Sequence, residues 1–469
     1  MALINAKGEK ILGLNHYYNC QDYGVLPTNT DNTAALQALI DLVNKNGGGT
    51  IWIPIGIYLF DSAASAWALT SNVTTLCEMK SGVSIIGESL DKSVLKVTGN
   101  TSQGAGLFCQ SSDQSGEILT GCTFQNFTVD MSGASLTSYS HRGKAFHFSG
   151  IKDCVFRDLR LLSTPSTSLG IDMLDNVVMD SIYVYQGGRQ WSIGGNGGAG
   201  IGIGTGKWEN ENYIIRNCIC DSCGHFGIFL EDQGIFDSSK VRNYPKGQII
   251  ANNIVRNCRN YGIGLRGGEN VVITGNNIYD NYGGIYMDYG AKNVMVSNNI
   301  IQGNKEAGFM FGNEDLIVNE SGYACENIIV SGNGFCENMF GTWNITAPLN
   351  SQTSNNLFVG NGAETPTASD IDSSLVIADV YIDDNGAQAS QAGNWLYDSF
   401  IDLTTARMLC DNMFGVRVAE YDENKNFLRR WYGSYWVNTI PHRVGSDCRY
   451  IKLGCNSSST VDETLKLYS

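Results

Sequence analysis

Charge is scarce in this chain of 469 residues: Asp, Glu, Lys and Arg make up only 16% of it, and 31 Lys or Arg stand against 46 Asp or Glu. A net charge of −15 argues against a nucleic-acid partner, because phosphate binding rests on clustered cations. It also mildly disfavours a strongly anionic polymer, and it selects no substrate. Proline is sparse at 7 residues, so rigid loops are few. No apolar run is long enough to span a membrane. The opening stretch MALINAKGEKILGL has neither an apolar central region nor a small-residue cleavage site, so it does not read as a secretory leader. We expect an extracellular or virion-surface protein, either with its leader trimmed or released by lysis with a virus particle. Zinc-finger spacing is missing too: Cys220 and Cys223 have the right separation, but no second pair follows.

What is present points to a large core with many tight turns. Hydrophobic residues reach 42%, and glycines number 55. The length allows two or three domains. Of the 14 cysteines, Cys154, Cys218, Cys220, Cys258 and Cys336 sit inside apolar runs. They read as buried thiols rather than a disulfide framework.

Near the N-terminus, Leu36, Leu39, Ile40, Leu42 and Val43 recur at helical spacing. Asp31 or Asn32 can cap that helix, and Gly47-Gly48-Gly49 ends it. Two short strands follow, Thr50 to Pro54 and Ile57 to Phe60. The pieces Gly47-Gly48-Gly49-Thr50 and Pro54-Ile55-Gly56-Ile57-Tyr58, with a weaker acidic stretch Thr28 to Thr33, resemble the opening of the pectate-lyase-like β-helix superfamily. The resemblance implies a right-handed parallel β-helix capped at its N-terminal end, and it carries no catalytic residue.

Internal repeats fill the middle of the chain. A strand of the form Gly-Ile-x-apolar recurs at Gly170, Gly200, Gly227, Gly262 and Gly284, with a Gly308-Phe309 copy and a looser one at Ala145-Phe146. Successive later copies lie about one coil, 22 to 24 residues, apart. A second strand repeat places Asn217, Asn252, Asn276, Asn298 and Asn333 in one expected column. Stacked Asn amides at a turn are scaffold, since they bond one another and tolerate left-handed backbone. Residues 373–469 alternate like antiparallel strands. The piece Val416 to Leu428 is similar to small sandwich modules of phage tail proteins and bacterial surface proteins.

The expected fold is therefore all-β: a right-handed parallel β-helix with an N-terminal capping helix and a C-terminal antiparallel β-sandwich. The expected segments are 1–60 as N-terminal segment and cap, 61–345 as β-helix, 346–372 as linker or cap, and 373–469 as a sandwich for binding or trimer contacts.

Alternation within the Gly-Ile strands assigns two outward columns. Aligned on the repeated Gly-Ile, the first runs His147, Asp172, Gly202, Phe229, Gly264, Tyr286, Met310. The second runs Ser149, Leu174, Gly204, Glu231, Arg266, Asp288, Gly312. Glu231, Arg266 and Asp288 would thus fall on consecutive coils beside the side-chain-free stretch Gly200 to Gly206. An Arg between two carboxylates is equally an ordinary charge ladder. The adjacent trough and the flat faces of Phe229, Tyr286 and Tyr289 favour a sugar site. Glu231 and Asp288, two strand spacings or about 9.6 Å apart in backbone, suit the acid and base of an inverting glycosidase, with Arg266 holding a substrate hydroxyl or carboxylate. Asp172 is a further catalytic candidate, paired with His147 as an acid–base dyad; a plain surface hydrogen bond is the competing reading. Asp232 follows its strand at the turn and either lines the trough or only caps it, and His225, ahead of the coil of Glu231, is a loop ligand or a turn residue. Insertions bring Arg189, Trp191, Trp208 and Glu209 near it as a binding wall, where each Trp either stacks on sugar or packs on a coil.

The expectation is a glycoside hydrolase that needs no cofactor and acts on a bacterial surface or plant polysaccharide. A polysaccharide lyase is the first alternative, with Arg266 as base and calcium on Asp288 and Glu231, similar to the pectate-lyase arrangement. A non-catalytic carbohydrate receptor-binding or adhesion protein is the second. A sugar epimerase on the same fold ranks below both, since no Asp-Pro-His piece is found. Long β-helices with such appendices resemble phage tailspike depolymerases, which implies a homotrimer with no membrane insertion.

Overall fold

The computed structural model describes residues 17–361 apart from 71–72, 103, 111–117, 193–196, 209–210, 234–246, 289, 312–324, 339, 345–349 and 360, and beyond them chiefly the backbone of strands between residues 368 and 468. The chain divides into two units, residues 1–254 with 268–272, and residues 255–267 with 273–469.

In the first unit the helix Thr33–Lys45 buries Leu36, Leu39, Ile40 and Val43, the stripe that the sequence spacing sets out. The Asp31 carboxylate accepts the Thr33 N–H at 3.1 Å and the Thr33 hydroxyl at 2.7 Å. Asn32 instead ties neighbouring chain together, accepting the Leu26 N–H at 2.8 Å and donating to the Leu59 carbonyl at 3.2 Å. Past the helix, Gly47 and Gly48 adopt φ of 89° and 94°. A Cβ on Gly48 would stand 2.7 Å from the Gly82 carbonyl oxygen, so this turn needs glycine. The helix lies against the strands Gly49–Ile53, Thr74–Glu78 and Val83–Gly87.

Parallel coils begin early, where Tyr17–Asn19 pairs with Gly49–Ile53, and that strand with Val83–Gly87. The expected start at residue 61 is therefore too late. Longer strands follow: Thr123–Leu136, Phe146–Leu162 and Leu169–Tyr185 pair in parallel. Ile201–Thr205 and Ile228–Asp232 continue beside them. Their inward positions stack phenylalanines. Phe108 and Phe146 lie 5.5 Å apart, Phe124 and Phe146 5.1 Å, and Phe124 and Phe156 5.1 Å between ring centres. Each buried ring is worth about 1.5–3 kcal/mol of transfer free energy. The described cysteines are all free thiols, buried except for half-buried Cys336.

In the second unit the strands Tyr261–Arg266, Gly283–Asp288, Ala307–Phe311 and Phe340–Asn344 pair in parallel. Two amide ladders run through it. Asn276, Asn299, Asn333 and Asn356 bond one to the next at 2.9 to 3.0 Å. Asn281, Asn304, Asn338 and Asn361 do the same at 2.8 to 3.2 Å. The single expected Asn column thus merges two adjacent ones. Asn217, Asn252 and Asn298 hold left-handed backbone at φ of 55° to 56°, while the amide ladder uses the next residue along. The coils also run past the boundary expected at 345: Gln352–Ser354 and Leu357–Val359 pair in parallel with earlier strands. Farther on the strands turn antiparallel, in one sheet of four and one of six strands. No described helix is long and apolar enough to cross a membrane.

Candidate active site

Strand pairing in the first unit corrects the expected columns by two residues. His147 stands opposite Gly170, not Asp172, and Ser149 stands opposite Asp172. Gly170 then meets Gly202, and Asp172 meets Gly204. Gly202 pairs with Phe229, and Gly204 with Glu231. One outward column therefore runs His147, Gly170, Gly202, Phe229, and the other runs Ser149, Asp172, Gly204, Glu231. The spelled Gly-Ile repeat misleads because the strand at Leu169 enters its coil two residues early. Leu169, Ile171 and Met173 all point inward, and Met173 then breaks the alternation with φ of 51°. The His147–Asp172 dyad is not formed as adjacent strand partners. Asp172 instead joins Glu231, one on each side of Gly204.

Glycine makes this arrangement possible. A Cβ on Gly204 would collide with the Asp172 carboxylate and stand 2.9 Å from the Gln233 side chain. A Cβ on Gly170 would stand 2.9 Å from the Lys144 ammonium. The two bare positions let Asp172 and Lys144 lie across neighbouring coils. The Gly204 N–H donates to Asp172, and Gln233 donates to Glu231 Oε2 at 3.3 Å.

Burial governs the electrostatics here. It raises Asp172 above the usual carboxylate range, against the opposing pull of Lys144 and Lys207. Lys144 is lowered by burial, against the opposing pull of Asp172, Cys109 and Glu231. His147 is 7% exposed and falls well below the usual imidazole value, through burial first and then Lys144, His141 and Arg142. Burial and the same two cations bring His141 to about 4. His147 Nδ1 is buried without a hydrogen-bond partner. Both histidines are thus neutral at ordinary pH. Lys144, Lys207 and His141 were missed in the sequence. The signal was there: His141-Arg142-Gly143-Lys144 is a basic cluster in a charge-poor chain, just ahead of the strand carrying His147.

A family model described as rhamnogalacturonase A/epimerase, pectate lyase-like matches residues 17–310. The chain belongs to this family. A right-handed β-helix region model matches residues 235–395. Mannuronan C5-epimerase AlgE1 of Azotobacter vinelandii is 35% identical over 89 residues, 18% of this chain and 6% of the relative. Alginate lyase 7 of the same organism is 37% identical over 83 residues, 17% of this chain and 9% of the relative. The chain thus matches only a small part of these relatives. Among solved structures, the Azotobacter vinelandii AlgE4 A-module has a TM-score of 0.51 at 16% identity, covering 74% of this chain and 96% of that one. The Yersinia enterocolitica family 28 exopolygalacturonase has a TM-score of 0.53 at 14% identity, covering 75% and 76%. These two likenesses establish the parallel β-helix.

In this pectate lyase-like chain the other expected site residues divide by location. Trp208 lies over Gly150, its Cζ2 3.2 Å from where a Cβ would stand, so it packs on a coil and stays half-buried. Asp232 is 4% exposed and packs beneath Gly206, where a Cβ would meet its carboxylate. The Arg189 guanidinium is taken up by backbone carbonyls, bonding Ser163 at 2.8 Å and also Ala134; it braces a loop. Trp191 stacks on His225 at 4.0 Å and 11°, and Phe226 stacks on Phe229 at 4.4 Å and 10°. His225 Nδ1 lies 3.2 Å from the Gly197 carbonyl oxygen.

Arg266, Tyr286 and Asp288 belong to the second unit. Arg266 does stand opposite Asp288 there. Asp288, however, is 3% exposed and accepts the Tyr286 hydroxyl at 2.5 Å. Its carboxylate is turned to a tyrosine on its own strand. Glu209 and Tyr289 lie outside the described residues. Among the described residues no group of three or more His, Cys, Asp and Glu is arranged to hold a metal ion.

Proposed function

We propose that this chain is a polysaccharide-cleaving glycoside hydrolase in which Asp172 is the general acid and Glu231 the general base. The observation that carries the reading is the register Asp172–Gly204–Glu231. It sets two carboxylates two strand spacings apart, about 9.6 Å in backbone, with no side chain between them. Side-chain reach brings such a pair into the range of about 6.5–9.5 Å used by inverting glycosidases. Burial keeps Asp172 protonated to higher pH than an ordinary carboxyl, as a proton donor requires. Glu231 would activate water from the other side. Lys144 interacts electrostatically with both and favours the state in which one of them is ionised. The substrate expected is a bacterial surface or plant polysaccharide.

A lyase or epimerase is the second reading, and Lys144 with neutral His147 favours it. Both reactions remove a proton beside a uronate carboxylate, which calls for a base and a cation. Incubation with a panel of surface and plant polysaccharides separates the readings. New reducing ends without absorbance from an unsaturated uronate mean hydrolysis, and that absorbance means elimination. Asp172→Asn and Glu231→Gln should each lower cleavage by about 10²- to 10⁴-fold, the usual worth of a general acid or base, while binding persists. Full activity in both variants rejects the assignment. Binding without cleavage of any polymer would favour an adhesion protein.

A further inference from the structure

We propose that Glu211 is a positioning residue: it fixes the loop that follows Thr205 so that Lys207 and Trp208 are held at the acid Asp172. This rests on the hydrolase reading above.

Glu211 is fully buried at 0% exposure, yet it touches none of the reacting groups. Its carboxylate is encircled by its own loop. Oε2 accepts the Thr205 hydroxyl and, at 2.6 Å, the Gly206 N–H. Oε1 accepts the Trp208 N–H at 3.1 Å, and the Lys207 backbone N–H also favours the carboxylate. Charge-assisted bonds of this kind are roughly twice as strong as neutral ones. They oppose the burial of the carboxyl without cancelling it, and burial still raises Glu211 above its ordinary value.

The anchor extends into the core. Gln248 donates to the Thr205 hydroxyl at 3.2 Å, and Tyr213 donates to Gln248 at 3.0 Å. Gln248 and Tyr213 are 0% and 1% exposed. Gly206 takes φ of 90°, and the Asp232 carboxylate packs where its Cβ would be. The loop is therefore clamped from both sides.

The clamp holds Lys207 in place and packs Trp208 on a neighbouring coil. Lys207 is one of the two cations acting on Asp172. Trp208 covers Gly150, next to Ser149 in the column of Asp172. The groups facing Asp172 are Lys144 from the preceding loop, Lys207 from this one, the Gly204 N–H from the next strand, and Glu231 and Gln233 beyond it. Of the charged groups among these, Lys207 lies in the loop that Glu211 bonds.

The test compares Glu211→Gln, Lys207→Met and the double variant in the full chain. A glutamine keeps the size but turns an N–H₂ toward backbone donors. Hydrogen exchange of the peptide spanning residues 205–211 reads the loop without any substrate; faster exchange in Glu211→Gln is expected. With a cleaved polysaccharide, the alkaline limb of the pH–rate profile should move up by about one unit in each single variant, as a nearby cation's loss implies. The double variant should move no further. Unchanged exchange, or faster exchange with an unmoved alkaline limb, overturns the positioning role. If Glu211→Gln does not fold, Lys207→Met decides: an unmoved limb overturns the proposal. Should the wild-type chain cleave nothing, the hydrolase reading fails separately, and the exchange result still reports on the clamp.

Discussion

Burial acts on Glu306 as it does on Asp172, but with a different consequence. Glu306 is 0% exposed and accepts the Tyr282 hydroxyl at 3.0 Å and the Tyr261 hydroxyl as well. Burial outweighs these two bonds and pushes its carboxyl up from 4.5 to about 8. The folded value lies above the unfolded one, so the neutral form belongs to the fold. Its stabilising contribution is complete below about pH 4, declines as pH rises toward 8, and is gone above. At about 1.4 kcal/mol per unit the whole effect is several kcal/mol. Glu306→Gln should flatten the fall in stability between those limits, seen as urea midpoints at a series of pH values. Equal pH dependence in wild type and variant would show that Glu306 does not titrate in this window. Such residues also mark where the sequence falls silent. His147, Asp172 and Glu231 stand out as outward polar positions on apolar strands. Glu306, Glu211 and Lys144 do not, because their roles depend on which groups fold against them, and no local spacing encodes that.

At the scale of strands and turns, the amide ladder sets the pitch of the second unit. Asn299 accepts the Asn276 N–H at 2.9 Å and its side-chain amide at 2.9 Å. It donates to the Ile273 carbonyl at 3.1 Å and to Asn333 at 2.9 Å. Asn299→Ala leaves buried partners unsatisfied on both neighbouring coils. At about 1–3 kcal/mol for each, the loss should be about 3 kcal/mol or more, measured as a lower denaturation midpoint. A loss below about 1 kcal/mol would mean water replaces the amide. The coil architecture was legible in the repeats, because inward Ile, Leu and Phe recur once per coil. Exact register was not. The Gly-Ile spelling is a weak marker when a glycine can stand at either end of the strand. Only hydrogen-bonded pairing reveals that Leu169 rather than Ile171 faces Ile201. That two-residue slip moved Asp172 into the column of Glu231 and changed the proposed partner from Asp288.

Across the whole molecule, stacked coils contact only their neighbours, so an outward column is free to take on a role of its own. One such column in the second unit sets two exposed apolar residues side by side. Met295 stands opposite Ile329, and they are 43% and 39% exposed. Scattered apolar residues on a surface need no explanation, but residues stacked in register form a patch, and patches mark contacts. Such a patch suits a contact between copies of this chain, and a homotrimer is the assembly to test. In a closed trimer each copy sets this face against a different face of its neighbour. Sedimentation of the full chain should then give three times the 51.0 kDa chain mass. Met295→Glu combined with Ile329→Lys should shift the species toward monomer while leaving the circular dichroism of the coils unchanged. A wild-type chain that sediments as a monomer at micromolar concentration would remove the trimer. A double variant that stays trimeric would move the interface to another face of the helix.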